Sequence, residues 1–128
     1  MERKIIFSEN APKAIGPYSQ AVKVSAGALY FLSGQVPLDP ATGKLVEGDI
    51  SAMTKRALEN LKAVLSAEGL DFSNVVKTTI YLTDMSNFTK VNEVYSGYFK
   101  ENPPARATVA VSALPLGAPV EIELIAAK

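Results

Sequence analysis

The stretch NPPARATVAVSALPLGAPVEIELIAA, residues 102–127, contains the pattern that predicts the last strands of the fold and a candidate site. It contains two apolar segments, 107–113 and 120–126, which predict two β-strands. Between them lies a turn rich in proline and glycine, centred on Leu116-Gly117. Two apolar strands joined by such a turn are by themselves an ordinary pattern.

Three charged residues stand out in this otherwise apolar stretch. Arg106 begins the first strand, and Glu121 and Glu123 share one face of the second, because side chains alternate along a strand. An arginine keeps its charge inside a protein, and a glutamate is rarely buried without a partner. The pattern indicates either a site that binds a small carboxylate through Arg106 or a structural ion pair of Arg106 with Glu121, Glu123 or a carboxylate of a helix. For the two glutamates, the alternative to a site is that both point to solvent.

The spacing of these charges bears on where such a site would form. A simple hairpin would place Arg106 opposite about residue 127. Glu121 would then lie six residues along the strand, on the order of 20 Å away. If Arg106 and Glu121 belong to one site, we expect them to meet across a boundary between subunits.

The composition excludes several classes of protein. The chain has 128 residues, of which 48% are hydrophobic and 20% charged, so we expect one folded domain, 1–128. The net charge is zero and no run of basic residues is present, which disfavours nucleic acid as a partner. No apolar run reaches the ~20 residues of a membrane span, and no secretory h-region is found. A cytoplasmic location and no membrane partner are therefore expected.

The chain contains no cysteine and no histidine. Disulfides, thiolate nucleophiles and cysteine metal sites are thus excluded, as is the commonest general base and metal ligand. Catalysis would have to use carboxylates, arginine, tyrosine, hydroxyl groups or the backbone.

Upstream segments complete the expected order of elements. They are strands at 3–7, 18–24 and 28–32, a helix from Asp49 to about Glu68 that is capped by Gly69, a strand at 75–83 and a helix at 86–100. A tight hairpin is predicted at Ala26-Gly27, and Gly34 allows a bulge or a close approach of the backbone.

This order is typical of an α+β fold in which both helices cover one face of a mixed sheet. The opposite face would then be bare. Because one face of every predicted strand is apolar, we interpret the bare face as an interface and predict an oligomer.

Other candidate binding residues are Tyr18, Asn92, Ser33 and Gly34. Tyr18 follows Gly16-Pro17 at a junction between loop and strand, where its hydroxyl group would bind substrate or its ring would simply pack. Asn92 interrupts the apolar stripe of the second helix, or marks its border.

Taken together, these segments resemble the RidA (YjgF) family of enamine/imine deaminases. The matching motifs are NAP at 10–12, IGPYSQA at 15–21, SGQVP at 33–37, VKTTIYLTD at 76–84, VNEVY at 91–95, PARA at 104–107, LP at 114–115, GA at 117–118 and VEIE at 120–123. They cover nearly the whole chain in the family's order.

The resemblance implies a chorismate-mutase-like α+β fold with a mixed six-stranded sheet and two helices on one face. It also implies a homotrimer with three clefts between subunits. The implied reaction is hydrolysis of the 2-imino acids 2-iminobutanoate and 2-iminopropanoate to 2-oxo acids and ammonia, with no cofactor and no metal. Such imines leave pyridoxal-phosphate enzymes and can damage others of that class.

The resemblance also implies roles for individual residues. Arg106 would bind the substrate carboxylate, and Glu121 would position or activate water. The other pocket residues would be Tyr18, Ser33, Gly34 and Asn92. Thr108 stands where some members carry a cysteine, so its backbone would supply the contact and thiol chemistry is excluded. The assignment of Glu121 rather than Glu123 rests on the motif match.

Two other functions remain open. One is a non-catalytic regulatory protein that binds a small metabolite through Arg106, because members of one fold differ in activity. The other is an endoribonuclease, which the absence of a basic stripe disfavours.

Overall fold

The computed structural model describes residues 1–128 as an α+β fold with two helices and a mixed sheet. Its elements are β1 (Glu2–Ile6), β2 (Ala21–Ser25), β3 (Leu29–Gln35), α1 (Ile50–Ala67), β4 (Val75–Leu82), α2 (Phe88–Ser96), β5 (Ala105–Ala110) and β6 (Val120–Ala127). Neither helix has the length and apolar character that crossing a membrane requires.

The long helix α1 forms where its local signals predict it. Asp49 is the N-cap, and its carboxylate accepts a hydrogen bond of 2.9 Å from the Ala52 backbone N–H. Gly69 follows the helix with φ +68°, a left-handed conformation that glycine adopts without strain. The helix is therefore fixed at both ends by residues that the sequence identifies.

The core lies between both helices and one face of the sheet. The central strands β4 and β6 alternate between buried and half-buried side chains, with Thr78, Ile80 and Ile122 fully buried. Leu58 of α1 and Val91 of α2 join the same cluster. The prediction that both helices cover one face is confirmed.

The prediction of a six-stranded sheet is wrong. Four strands form one sheet in the order β3-β6-β4-β5, and β1 and β2 pair separately. The hairpin predicted at Ala26-Gly27 does not form, because the backbone N–H groups of Gly27 and Ala28 donate to the Lys128 carbonyl at 3.1 and 2.9 Å. These groups are thus used at the end of the β3–β6 ladder, and β2 pairs with β1 instead.

The predicted hairpin between the last two strands is also wrong. Strand β4 lies between them, parallel to β5 and antiparallel to β6. The Val111 N–H donates to the Leu82 carbonyl at 2.8 Å, and the Thr83 N–H to the Pro119 carbonyl at 3.2 Å. The connection from β5 to β6 therefore passes over the end of β4.

Strand β2 begins later than the predicted range 18–24. The Tyr18 N–H donates to the Gly16 carbonyl at 2.8 Å, and the Ser19 N–H to the Pro104 carbonyl at 3.2 Å. Both donors are thus used outside the strand ladder, and the ladder starts at Ala21.

Helix α2 is shorter than the predicted range 86–100. Asp84 accepts from the Ser86 N–H at 2.9 Å and fixes a 3₁₀ turn before the helix. Gly97 follows its last residue, although Phe99 beyond it remains buried. Local capping therefore shortens the helix without removing its apolar stripe from the core.

The sheet face opposite the helices is open. By register, Leu29, Phe31 and Val109 lie on this face, and they are 53%, 73% and 41% exposed. Glu121 and Glu123 share it, since they alternate with the buried residues of β6. The face is bare and partly apolar, as predicted from the sequence.

Candidate functional site

Arg106 lies on the helix side of the sheet. Its partner on β4 is Thr78, which is fully buried against the helices, so the two side chains share that face. The Arg106 guanidinium reaches α2, where its Nη1 donates to Asn92 Oδ1 at 2.7 Å. The strand and the helix together fix the position of this charge.

Three aromatic rings surround the guanidinium. Its Cζ lies 4.9, 5.5 and 5.8 Å from the ring centroids of Tyr95, Tyr18 and Phe88. Burial lowers the pKa of Arg106 from its ordinary value, and the groups that oppose this shift are Tyr95 and Tyr18 rather than a carboxylate. The side chain stays charged at neutral pH and has no anionic partner within the chain.

The innermost ring is held by a buried hydrogen bond. Tyr95 is fully buried, and its hydroxyl group lies 2.7 Å from Thr78 Oγ1. Burial raises the pKa of Tyr95 to about 12, so the phenol is neutral. Tyr95 therefore presents a fixed, uncharged ring to Arg106.

The guanidinium faces an open cleft of about 280 Å³. The cleft is lined by Ile15, Gly16, Tyr18, Phe88, Asn92, Arg106 and Thr108. A Cβ atom on Gly16 would lie 3.5 Å from Arg106 Nη2, so this loop approaches the guanidinium closely. Thr108 Oγ1 is buried and has no hydrogen-bond partner. The cleft combines one free cation with polar and apolar walls, and its size suits a small organic anion.

Glu121 lies on the opposite face of the sheet from Arg106. Its partner on β4 is Tyr81, three positions beyond Thr78, and an odd separation along a strand reverses the face. The Glu121 carboxylate sits against Gly34, where a Cβ atom would lie 2.3 Å from Oε2. Arg106 and Glu121 therefore make neither an ion pair nor a joint site within one chain.

The two glutamates of β6 differ in their partners. Glu123 Oε1 accepts a hydrogen bond of 2.7 Å from the Tyr81 hydroxyl group, and this bond raises the pKa of Tyr81. Glu121 has no side-chain hydrogen bond. Glu121 is thus the carboxylate available to a ligand or water, and no group of acidic side chains is arranged to hold a metal ion.

The structure divides the predicted site residues into two sets. Tyr18, Asn92, Arg106 and Thr108 line one cleft, called here the arginine half-site. Gly34 and Glu121 lie against each other on the opposite face of the sheet and are called here the glutamate half-site. Ser33 lines a separate groove between β3 and α1.

Sequence reasoning missed two aromatic residues of α2 that contact Arg106. Phe88 and Tyr95 belong to the apolar stripe of the second helix, and both rings contact Arg106. With Asn92 they have the spacing i, i+4 and i+7, which places all three on one face of a helix. A polar residue within an aromatic stripe is the signal that could have identified them.

We expect Gly34→Ala to displace Glu121, because the new methyl group would overlap its carboxylate. If Glu121 takes part in a reaction, a displacement on the order of 1 Å can lower turnover by up to about a hundredfold, and kcat would then fall while folding is retained. Gly27→Ala is the matched control, since a Cβ there meets only the Lys128 carbonyl at 3.7 Å. Wild-type kcat in Gly34→Ala would contradict the expectation.

Comparisons with known proteins agree with this architecture. Residues 8–128 match the protein family described as Endoribonuclease L-PSP. Protein DfrA of Myxococcus xanthus is 65% identical over 98% of this chain and 96% of its own. The 2-iminobutanoate/2-iminopropanoate deaminase of Mus musculus is 54% identical over 97% of this chain and 90% of its own. The crystal structure of E. coli TdcF with bound serine superposes with a TM-score of 0.75 at 41% identity, covering 98% of both chains.

Proposed function

Because the chain belongs to the Endoribonuclease L-PSP (RidA/YjgF) family, we propose that it is a deaminase that hydrolyses small 2-imino acids such as 2-iminobutanoate and 2-iminopropanoate. The products would be a 2-oxo acid and ammonia. The family includes relatives named for this activity at 54% and 50% identity to this chain. A cytoplasmic location belongs to the same proposal.

The observation that carries the proposal is the unpaired charge of Arg106. A desolvated guanidinium without a carboxylate partner favours an anion, and its planar fork matches a carboxylate in two hydrogen bonds. Asn92 occupies Nη1 and leaves other donors of the fork free for the ligand. The carboxylate common to all 2-imino acids fits this position.

The chemistry requires little beyond orientation and proton transfer. Water adds to the imine carbon, and Glu121 accepts the proton that water loses. The same proton passes to the nitrogen and gives a carbinolamine. Glu121 then moves the hydroxyl proton of the carbinolamine to its amino group, the carbon–nitrogen bond breaks, and ammonia leaves as the carbonyl forms. Because the imine is already electrophilic, a fixed carboxylate clamp and one base account for the reaction.

The two half-sites must come from different subunits to act together, since they lie on opposite faces of one sheet. We propose a chorismate-mutase-like homotrimer in which the arginine half-site of one subunit faces the glutamate half-site of its neighbour. The exposed apolar side chains of Leu29, Phe31 and Val109 support burial of the open face in such an assembly. Native mass spectrometry is expected to give three times the mass of the 13.6 kDa chain, and a monomer would contradict the shared cleft.

The activity is tested by coupling the protein to a threonine dehydratase and following 2-oxobutanoate. We expect the purified chain to accelerate formation of the 2-oxo acid above spontaneous hydrolysis of the imine. Equal rates with and without the chain would exclude the deaminase function under these conditions.

A non-catalytic binding function is the second candidate. The arginine half-site is complete within one chain, whereas Glu121 is remote from it, so a single subunit has what carboxylate binding requires. Binding of 2-oxobutanoate by calorimetry, combined with no acceleration in the coupled assay, would favour this candidate. An endoribonuclease function is named in the family's description, but the zero net charge and the lack of a basic stripe disfavour it.

A further inference from the structure

The segment before Arg106 is anchored only through its carbonyl groups. Pro103 and Pro104 have no backbone N–H, so they cannot donate to a neighbouring element. Three consecutive carbonyls instead accept from outside the segment. Arg3 Nη2 donates to the Asn102 carbonyl at 2.6 Å, Ser19 Oγ to the Pro103 carbonyl, and the Ser19 N–H to the Pro104 carbonyl at 3.2 Å.

Ser19 supplies two of these three bonds and is itself buried, with 7% of its surface exposed. It directly follows Tyr18, whose ring forms one wall of the arginine half-site. Its two acceptors directly precede the strand that carries Arg106. Ser19 thus joins the Tyr18 wall to the strand of the arginine across 84 residues of sequence.

Two contacts with Arg106 come from the loop that ends at Ser19. The Tyr18 ring lies 5.5 Å from Arg106 Cζ, and the neighbouring Gly16 approaches Arg106 Nη2. No hydrogen bond links Tyr18 directly to Arg106, so their spacing is fixed by the backbone on either side. The two hydrogen bonds of Ser19 link those two stretches of backbone directly.

We propose that Ser19 is a positioning residue that sets the spacing between Tyr18 and Arg106 and so prepares the cleft for a carboxylate. The inference rests on the proposed function for the identity of the ligand, but the geometry it describes exists without one. Removal of the hydroxyl group leaves the Pro103 carbonyl without its donor. The loop then moves away from the guanidinium, which becomes more accessible and binds a carboxylate less well.

The first test needs no substrate. Phenylglyoxal reacts with accessible guanidinium groups, and peptide mapping measures the rate at Arg106 relative to Arg56 on α1. In Ser19→Ala we expect this relative rate to rise about threefold or more, because preorganisation of the cleft is lost. An unchanged relative rate would overturn the positioning role, whether or not the protein proves to be a deaminase.

The second test separates positioning from general stabilisation. A carboxylate clamp holds substrate and transition state alike, so Ser19→Ala should raise KM about three- to tenfold and leave kcat within about twofold. The control is Thr54→Val, which removes another buried hydroxyl group, one that donates to the Ile50 carbonyl at 2.7 Å. It should lower the melting temperature without changing KM.

The two tests distinguish failure of the proposed function from failure of the positioning role of Ser19. If wild type shows no deamination, the proposed function fails, while the labelling rate still decides the role of Ser19. If wild type is active and KM is the same in Ser19→Ala, or rises equally in Thr54→Val, the positioning role is excluded.

Discussion

Replacing Arg106 with alanine is expected to lower kcat/KM for 2-iminobutanoate by about a hundredfold to a thousandfold, because loss of a charge-assisted pair in a desolvated site costs about 3–4 kcal/mol. The guanidinium is the only cation lining its cleft, so no neighbour can replace it. The measurement is steady-state hydrolysis in the coupled assay, with 2-oxobutanoate binding measured by calorimetry.

Two further variants make this result specific. Arg106→Lys keeps the charge but not the planar fork, and it should recover only part of the loss. Arg56→Ala removes an arginine from α1, where it donates to Asn60 at 3.1 Å, and should retain wild-type kcat/KM. Deamination that survives Arg106→Ala would exclude Arg106 as the carboxylate clamp.

Replacing Glu121 with glutamine is expected to lower kcat by about a hundredfold to ten-thousandfold, the usual contribution of a general base. Glutamine keeps the size of the side chain but cannot accept the proton of water. Because Arg106 is unchanged, binding of 2-oxobutanoate should stay within about twofold of wild type. Single-turnover kinetics together with calorimetry would measure both quantities.

Glu123→Gln is the matched control on the same strand and the same face. Its amide oxygen can still accept from the Tyr81 hydroxyl group, so folding and kcat should remain near wild type. Should Glu123→Gln lose turnover while Glu121→Gln retains it, the roles of the two glutamates would have to be exchanged.

The elements that sequence predicts well are those specified by local signals. Asp49 and Gly69 mark the ends of α1, and the alternation of β4 marks a strand, because capping and periodicity act over a few residues. The place of β5 beside β4 is not local, since parallel pairing brings together residues that are distant in sequence. A two-strand hairpin was therefore the wrong prediction for 102–127.

The candidate site follows the same division. The sequence identifies Arg106 as an unusual charge but leaves open whether a glutamate of the same chain neutralises it. That question depends on which sheet face each residue occupies, and the register through β4 decides it. The contacts of Phe88 and Tyr95 with Arg106 could not be recognised from the sequence, because an aromatic residue beside an arginine has the same helical spacing as an aromatic residue in the core.

The placement of Arg106 and Glu121 on opposite faces of one sheet has a consequence for how the proposed enzyme would respond to its own abundance. A dissociated chain would keep its carboxylate-binding cleft but lack a base beside it, so it would hold the product without forming it. Dilution of the protein would then convert an active enzyme into single chains that only bind 2-oxo acids. Turnover per chain would rise with concentration until assembly is complete.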